Sequence, residues 1–438
     1  VIDISLKKTL GCEAVFGFSE YSKRDGKNYL PSAYCGFDVG NGGVISVTTE
    51  YADRGRSNRA EPGNPRIIGD SKVQSGTVYV NGDIPTIGTD KLYFTIGGQH
   101  RKASSAAFAR GGIGSDDIPS RNSAAQYPDG FVPFINGDIN DFYGTVGYRW
   151  QVGEWRADAS QTYGYNELKY NISHTLNASI ANSDLLAGGL GISPSKFNAG
   201  GFSFGQATSN LDFSRFFDGV LGGLNVAFGA EYRNENYKIK AGEPGSYIDA
   251  DGPGFGGNAG SQGFPGFQPG DSTNRSRNSY ALYTDLELDV TKDFKLQGAL
   301  RGEHYNDFGS TLTGKLAASY SLDRDVLLRG SVSSGFRAPS LQQVNFSSTF
   351  TDFISGQPQD VVLAPNGGTI ANAAGIPKLK EETSTNYTLG LTLKPSKATA
   401  ITADLYRIDI KDRIVLFGRF DADNYPALGS ILAGLGVG

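Results

Sequence analysis

Residues 280–290 read YALYTDLELDV. Leu282, Thr284, Leu286, Leu288 and Val290 take every second position, and Tyr283, Asp285, Glu287 and Asp289 fill the gaps. Successive side chains of a strand point to opposite faces, so this is a ribbon with one apolar and one acidic side. The same period of two returns along the chain, at Ile45, Val47, Thr49 and Tyr51, at Leu92, Phe94 and Ile96, and at Leu224, Val226, Phe228, Ala230 and Tyr232. It returns again at Leu312, Leu316, Ala318 and Tyr320, and at Tyr387, Leu389, Leu391 and Leu393. This is strand periodicity rather than the 3.6 of a helix. Many runs hold long enough to cross a hydrocarbon layer at a tilt, whereas soluble strands usually run about five or six residues.

The connections narrow the choice. Tight ones carry turn chemistry, at NGG 41–43, TIGTD 86–90, VGE 152–154, LGG 221–223, TKD 291–293, DRD 323–325 and SKAT 396–399. Each alternates with a longer stretch rich in Gly, Ser, Asn and Pro, near 53–75, 102–140, 172–208, 241–276 and 338–384; those near 23–28 and 307–311 are short. Short turns at one end and long loops at the other characterise transmembrane barrels. A soluble sandwich has no physical reason to make every second loop tight. The expected fold class is therefore all-β, an antiparallel transmembrane β-barrel, with strands counted from about 13 to 420 numbering about fifteen. Leu286 and Leu288 then face acyl chains, while Asp285 and Glu287 line a wet or plugged interior. Tyr51, Trp150, Trp155, Tyr232 and Tyr280 lie near the ends of apolar faces, where interfacial girdles form. Gly298 and Gly330 fall on the lipid side, which tolerates gaps that a packed core would fill. An odd number of strands leaves unpaired edges in lipid, so the chain is expected to be incomplete, with SILAGLGVG ending inside an external loop.

Composition agrees. The 438 residues include 60 Gly, 22 Tyr and 26 Phe, a mix suited to many strands and turns. A net charge of −5 argues against nucleic acid as a partner. No apolar run is long enough for a helical span, and a mean hydropathy of −0.31 suits a barrel, in which only alternate residues need be apolar. The chain begins at Val1, contains no Met and shows no signal peptide, and is read as a processed product or a fragment. Cys12 and Cys35 share the parity of apolar neighbours on adjacent strands. The inferred register sets them about four residues out of alignment, too far for a bridge. Two unpaired thiols are expected, with a disulfide as the alternative.

Several segments carry a resemblance. VIDISLKK at 1–8, EYADRGRSNRAEPG at 50–63, YPDGF at 127–131, HTLNASI at 174–180 and FGAEYRNE at 228–235 come first. SGFRAPSL at 334–341 is the most specific, followed by EETSTNYTLGL at 381–391 and ITADLYRIDIKDRIV at 401–415. In order and spacing, over nearly the whole chain, they resemble the barrel of TonB-dependent outer-membrane receptors. That resemblance implies a plugged barrel of about 22 strands. Residues 1–10 would be the end of the plug and the plug–barrel junction, and 11–438 a partial barrel with long extracellular loops. The rest of the plug and the last seven or so strands of the family pattern would lie outside it.

The implied function is active transport across the outer membrane of a Gram-negative bacterium. External loops bind a scarce bulky solute (siderophore, vitamin or oligosaccharide), and TonB, with ExbB and ExbD, supplies the energy through the plug. Outer-membrane lipid and lipopolysaccharide would surround the wall. The subgroup leans towards a carbohydrate or plant-derived ligand. The alternatives are a passive porin-like channel and a β-rich surface binding protein.

Candidate ligand contacts lie at the loop ends of the strands. Arg54 and Arg59 suit an anionic ligand or lipopolysaccharide phosphate, or are simply solvated; Arg56 is a further candidate. Tyr127, Phe131, Phe134, Tyr247 and Phe264 offer faces for stacking on flat solutes, or else pack loops together; Phe202, Phe204, Phe255 and Phe267 are of the same kind. Arg337 has inward parity and is either paired to a wall or plug carboxylate at a strand end or free for a ligand, and pairing should stop at Pro339, which has no N–H. In ADLYRIDIKDRI the apolar parity switches after Leu405 to Ile408 and Ile410, read as a bulge or as a strand leaving the membrane. Catalysis finds little support. His100, His174 and His304 stand alone, no CxxC occurs, and the Gly-rich GGFSFG and GFGGNAG do not open a helix after a strand. No enzyme, cofactor, metal site or nucleic-acid partner is expected.

Overall fold

The computed structural model describes residues 6–252, 256–354, 357–416, 418 and 425–434. Residues 1–5 of VIDISLKK, Phe255 of the loop aromatics and the last residues of SILAGLGVG lie outside the described residues. The strands are β1 (Gly11–Ser19), β2 (Asn28–Asp38), β3 (Val44–Arg54), β4 (Lys72–Pro85), β5 (Lys91–Ala106), β6 (Phe134–Val152), β7 (Trp155–Ser173), β8 (Lys196–Phe217) and β9 (Leu224–Lys240). They continue as β10 (Thr273–Asp289), β11 (Phe294–Tyr305), β12 (Gly309–Ser321), β13 (Val326–Arg337), β14 (Ser348–Ile354), β15 (Gln357–Leu363), β16 (Glu382–Ser396) and β17 (Thr399–Lys411). Among the described residues, β1 to β13 with β16 and β17 form one 15-stranded meander, and β14–β15 is a separate hairpin in a loop. Among the described residues no helix is long and apolar enough to cross a membrane.

The seven tight connections fall where turn chemistry placed them. The long ones are shorter than expected, because strands continue past the apolar belt. β5 reaches Ala106, β6 begins at Phe134 and β8 at Lys196. Beyond the lipid the apolar–polar contrast fades, yet backbone pairing goes on, so the pattern alone ends a strand too early.

The two faces separate as their chemistry requires. Leu286, Phe228 and Leu316 are 44%, 42% and 66% exposed, and among the described residues no second sheet or helix packs over them. On the other face Gln297 donates to Asp285 at 2.9 Å, and Arg149 and Tyr93 both donate to Asp158, at 2.7 and 2.6 Å. The outward face also carries a shallow groove of about 590 Å³ along Leu286, Leu296, Gly298, Leu316, Gly330 and Val332. Rings mark both margins of this wall: Trp155 packs edge-on to Phe228 near the tight turns, and Tyr232 meets Tyr280 at 5.0 Å nearer the loops.

One expectation is corrected, and one pair of alternatives is decided. Cys12 lies directly across from Cys35 in the β1–β2 register, and the two form a disulfide. The register inferred from the sequence was wrong: β1 runs to Ser19, β2 starts at Asn28, and pairing from these ends brings the two cysteines level. The bulge expected after Leu405 is absent from the continuous pairing Tyr387↔Arg407, Thr388↔Tyr406 and Leu389↔Leu405; the irregularity lies at Leu393/Ser396 instead. Ile408 and Ile410 are exposed beside Ser384 and Asn386, so the parity change there is a strand passing from an apolar to a polar surrounding.

Candidate functional site

The long connections leave one end of the sheet and fold on one another. Two small cores organise them. In the first, Tyr237 and Ile239 of β9 pack with Phe267 and Leu341, flanked by Tyr170, Phe202, Phe204, Phe264 and Phe346. The second joins Phe131, Leu176 and Ala178, with Tyr127 against them. Aromatic pairs in such cores add about 0.5–1.5 kcal/mol each beyond area burial, so these loops form a built cap rather than loose strings.

The motif residues explain how the cap is tied. In HTLNASI, Asn177 is fully buried and caps helix α1 (Ala178–Leu186), accepting from the Ser179 N–H at 3.0 Å. Its amide donates to the carbonyls of Gly245 and Ile248, at 3.0 and 2.9 Å, which sews two loops together. Thr175 adds a bond to the Gln262 carbonyl at 2.7 Å. In YPDGF, the Gly130 N–H closes a turn on the Tyr127 carbonyl at 3.0 Å, with Gly130 at φ 84°, where a side chain would be strained. Arg110 reaches Gln262 at 2.8 Å, and burial lowers its guanidinium pKa.

Below the cap the inner wall is charged and paired. Glu231 accepts from Arg233 at 2.6 Å and Arg301 at 3.3 Å; Arg301 also pairs with Glu303, which accepts from the Tyr305 hydroxyl. Arg277, only 3% exposed, pairs with Glu235 at 2.6 Å and lies 5.2 Å over the Tyr305 ring. Asp271, buried at the base of the cap, accepts from Ser347 at 2.7 Å and from the Thr349 N–H at 3.1 Å. Neither Arg277 nor Asp271 was singled out from the sequence. The only cue was Arg275 and Arg277 alternating within NRSRN, on a strand otherwise read from its apolar half.

The residues singled out fall into separate places. Arg54 donates to the Ser71 carbonyl at 3.4 Å, while Arg59 pairs with Asp25 at 2.6 Å and lies over Tyr21. Tyr127 stacks on Phe131 at 4.3 Å, and burial pushes its phenol above the ordinary pKa. His174 stands edge-on to Tyr127, and Phe134 lies 6.2 Å from it with the Arg56 guanidinium 4.3 Å over its ring. These four rings form one cluster. Phe264 is elsewhere, 4.7 Å from Tyr170, and Tyr247 is half-buried beyond the Pro244 turn. Arg337 forks onto Glu382 at 2.9 and 2.8 Å, and β13 ends at this residue, two short of Pro339. Among the described residues no cluster suited to a metal ion occurs.

The comparisons agree with this architecture. The profile of the family described as TonB dependent receptor-like, beta-barrel, matches residues 97–431. An iron-regulated outer membrane virulence protein of Vibrio cholerae serotype O1 is 29% identical over 142 residues, covering 32% of this chain and 19% of its own length. The siderophore receptor PirA of Acinetobacter baumannii superimposes with a TM-score of 0.63 at 15% identity, over 93% of this chain and 54% of its own. A variant of the ferric enterobactin receptor PfeA of Pseudomonas aeruginosa, solved with enterobactin, gives 0.61 at 15% identity, over 93% and 55%. This chain thus spans about a fifth of the curated relative and a little over half of the solved receptors. At such identities the superpositions establish the fold. With its apolar outer wall and a family profile over most of its length, the chain belongs to the TonB-dependent receptor β-barrel family, transport receptors of the Gram-negative outer membrane.

Proposed function

We propose that this chain is the barrel portion of an active-transport receptor that captures a ferric siderophore at its loop cap and imports it with energy from TonB. The observation that carries the reading is the cap itself: long loops knitted by Asn177, Thr175 and Asp271 over an inner wall lined with paired charges. Long loops packed into one built cap suit capture of a specific solute better than free diffusion through an open channel. The printed names of the relatives concern iron and siderophores, which favours that solute class over the carbohydrate to which the motifs leaned.

Tyr127, Phe134, Tyr247 and Phe264 would offer ring faces and Arg54, Arg59 and Arg337 cationic contacts to an anionic iron complex. Phe131, buried beneath Tyr127, would back the site. Residues 1–10 would join plug to barrel. In support, Tyr34 donates to the Thr9 carbonyl at 2.8 Å, Lys8 pairs with Asp83, and a Cβ at Gly36 would lie 2.0 Å from the Thr9 oxygen, so only glycine lets the segment pass. TonB, driven by ExbB and ExbD, would act through the plug. Lipopolysaccharide would surround the outer half of the wall.

The test uses the full-length receptor. Uptake of a radiolabelled ferric catecholate by an iron-starved strain should disappear on deleting the gene and on deleting TonB. Steady ion conductance by the full-length protein in planar bilayers, with uptake independent of TonB, would overturn the proposal in favour of a porin.

A further inference from the structure

We infer that Cys12 and Cys35 are the substrate of a protein thiol oxidant in the aqueous periplasm, which joins them before β1 and β2 enter the membrane, so that the first hairpin reaches the wall already in register. The inference rests on the outer-membrane placement above, not on the identity of the transported solute.

The bond lies on the lipid side. Directly opposed residues of a sheet share a face. Cys12 lies across from Cys35, Cys35 from Val47, Val47 from Val80, and Val80 from Ile96, which is exposed on the outer wall. The residues on either side of Cys35 turn the other way. Tyr34 donates to the Thr9 carbonyl at 2.8 Å, and a Cβ at Gly36 would strike the same oxygen. Height follows from the same two strands. Phe37 is exposed one same-face position nearer the tight turn, and Phe16 and the Phe18–Tyr29 ring pair lie on the far side. Short turns mark the periplasmic end of such a wall. Cys35 is thus two residues, about 7 Å along the strand, inside the periplasmic edge of the apolar band.

The chemistry of the bond does not suit that place. Disulfide exchange begins with attack by a thiolate. Apolar surroundings raise a thiol's pKa and withhold that ion, and a soluble protein, with its polar surface, does not enter hydrocarbon. Once the hairpin is in the wall, the bond is therefore neither made nor cut from the water at a useful rate. Before insertion both thiols are wet. One of them, as thiolate, attacks the oxidant's disulfide, forming a mixed disulfide and releasing one oxidant sulfur as a thiolate. The other cysteine, also as thiolate, then attacks the chain's own sulfur in the mixed disulfide and expels the second oxidant sulfur. The chain gives up two protons and two electrons, and the oxidant leaves as a dithiol. The 438 residues hold two cysteines, so no rival pairing arises within them.

An early bond has a specific use here. A slip of one residue in an antiparallel pair turns every side chain to the opposite face. In β1 it would send Phe16 and Phe18 away from the lipid. At nine residues β1 is the shortest strand of the meander, and it contains Gly11 and Gly17, so its own pairing specifies register weakly. Joining Cys12 to Cys35 excludes the slip while the hairpin is still in water.

The test follows the full-length receptor in cells by pulse-chase. Free thiols are trapped with a maleimide–polyethylene glycol, and folding is read from the compact mobility of the barrel on unheated gels. The bond should appear in chains that are not yet compact. A strain lacking its periplasmic dithiol oxidase should accumulate reduced chain and form the compact species at least threefold more slowly. Cys12→Ser/Cys35→Ser should fold at one rate in both strains. A second measurement needs no variant: in isolated outer membranes a charged phosphine should cut the bond of the parent at least tenfold more slowly than in the urea-unfolded chain. A bond that appears only after the compact species, a double variant as sensitive to the oxidase as the parent, or equal rates of reduction in membrane and in urea would overturn the inference. None of these readouts involves siderophore uptake, so failure here leaves the transport reading standing.

Discussion

Arg277 donates to the Pro339 carbonyl at 2.6 Å while its guanidinium also holds Glu235 and, at 3.4 Å, Asp307. One buried cation thus fastens the end of SGFRAPSL, where strand pairing has stopped, to the wall of β9 and β10. Removing it leaves Glu235 buried without its partner, which costs about 3–5 kcal/mol. Arg277→Leu should therefore lower the temperature at which the folded barrel loses its compact mobility on electrophoresis. Arg277→Lys should recover only part of the loss, because a compact ammonium lacks the planar fork that reaches acceptors lying in different directions. Arg337→Ala is the contrast: its side chain is 59% exposed, and solvent-screened pairs of this kind contribute about 1 kcal/mol or less.

The disulfide closes the first hairpin across 23 residues of sequence. A loop of that length restricts the unfolded chain by about 3 kcal/mol on the chain-entropy account. Cys12→Ser/Cys35→Ser should destabilise the barrel by up to that amount in denaturant titrations, and reductant should lower the stability of the parent but not of the double variant. Equal sensitivity of both proteins to reductant would show that the bond is not the cause.

On the outward face, position rather than chemistry decides what is tolerated. Leu316 is 66% exposed on the lipid side, and its neighbour Lys315 points inward to Gln297 at 2.9 Å. An arginine facing lipid near the bilayer midplane costs about 2–4 kcal/mol. Leu316→Arg should lower the folding stability measured by bilayer refolding by that amount, whereas Lys315→Arg, one residue away, should leave it nearly unchanged.

That one-residue contrast is also why the fold was legible. Leu286, Phe228 and Leu316 announce their face because lipid demands apolar side chains at alternate positions, and the turn residues announce their end. Above the membrane this demand lapses. Nothing in the pattern of KFNAGGFSF distinguishes strand from loop, and β8 begins there at Lys196. Cys12 and Cys35 were misjudged because a short loop of uncertain length decides their register. The cap was least legible, since Asn177, Asp271 and Arg277 gain their roles from partners about 70 residues away or, for Arg277, on a strand neighbour and on Pro339. Composition shows that aromatic loops exist, but not which rings face one another.

The loop nearest β1 makes a prediction about acid. Asp25 accepts from Arg59 at 2.6 and 3.0 Å and from the Asn58 N–H at 2.9 Å, clasping residues 20–27 to 55–71. The Arg59 hydrogen bonds first, then the Asn58 N–H, hold its carboxyl below the ordinary aspartate range. A folded-state pKa that is depressed contributes stability at every pH above the unfolded value of about 3.9. That contribution is lost only as pH falls below it, through the folded pKa. Neutral to mildly acidic solution should leave the clasp intact, and protection of the Gly55 N–H, bonded to the Lys27 carbonyl at 2.7 Å, should fall only in stronger acid after correction for intrinsic exchange. Asp25→Asn should show the reduced protection already at neutral pH and no further acid step. An acid step that persists in Asp25→Asn would assign the transition to another group.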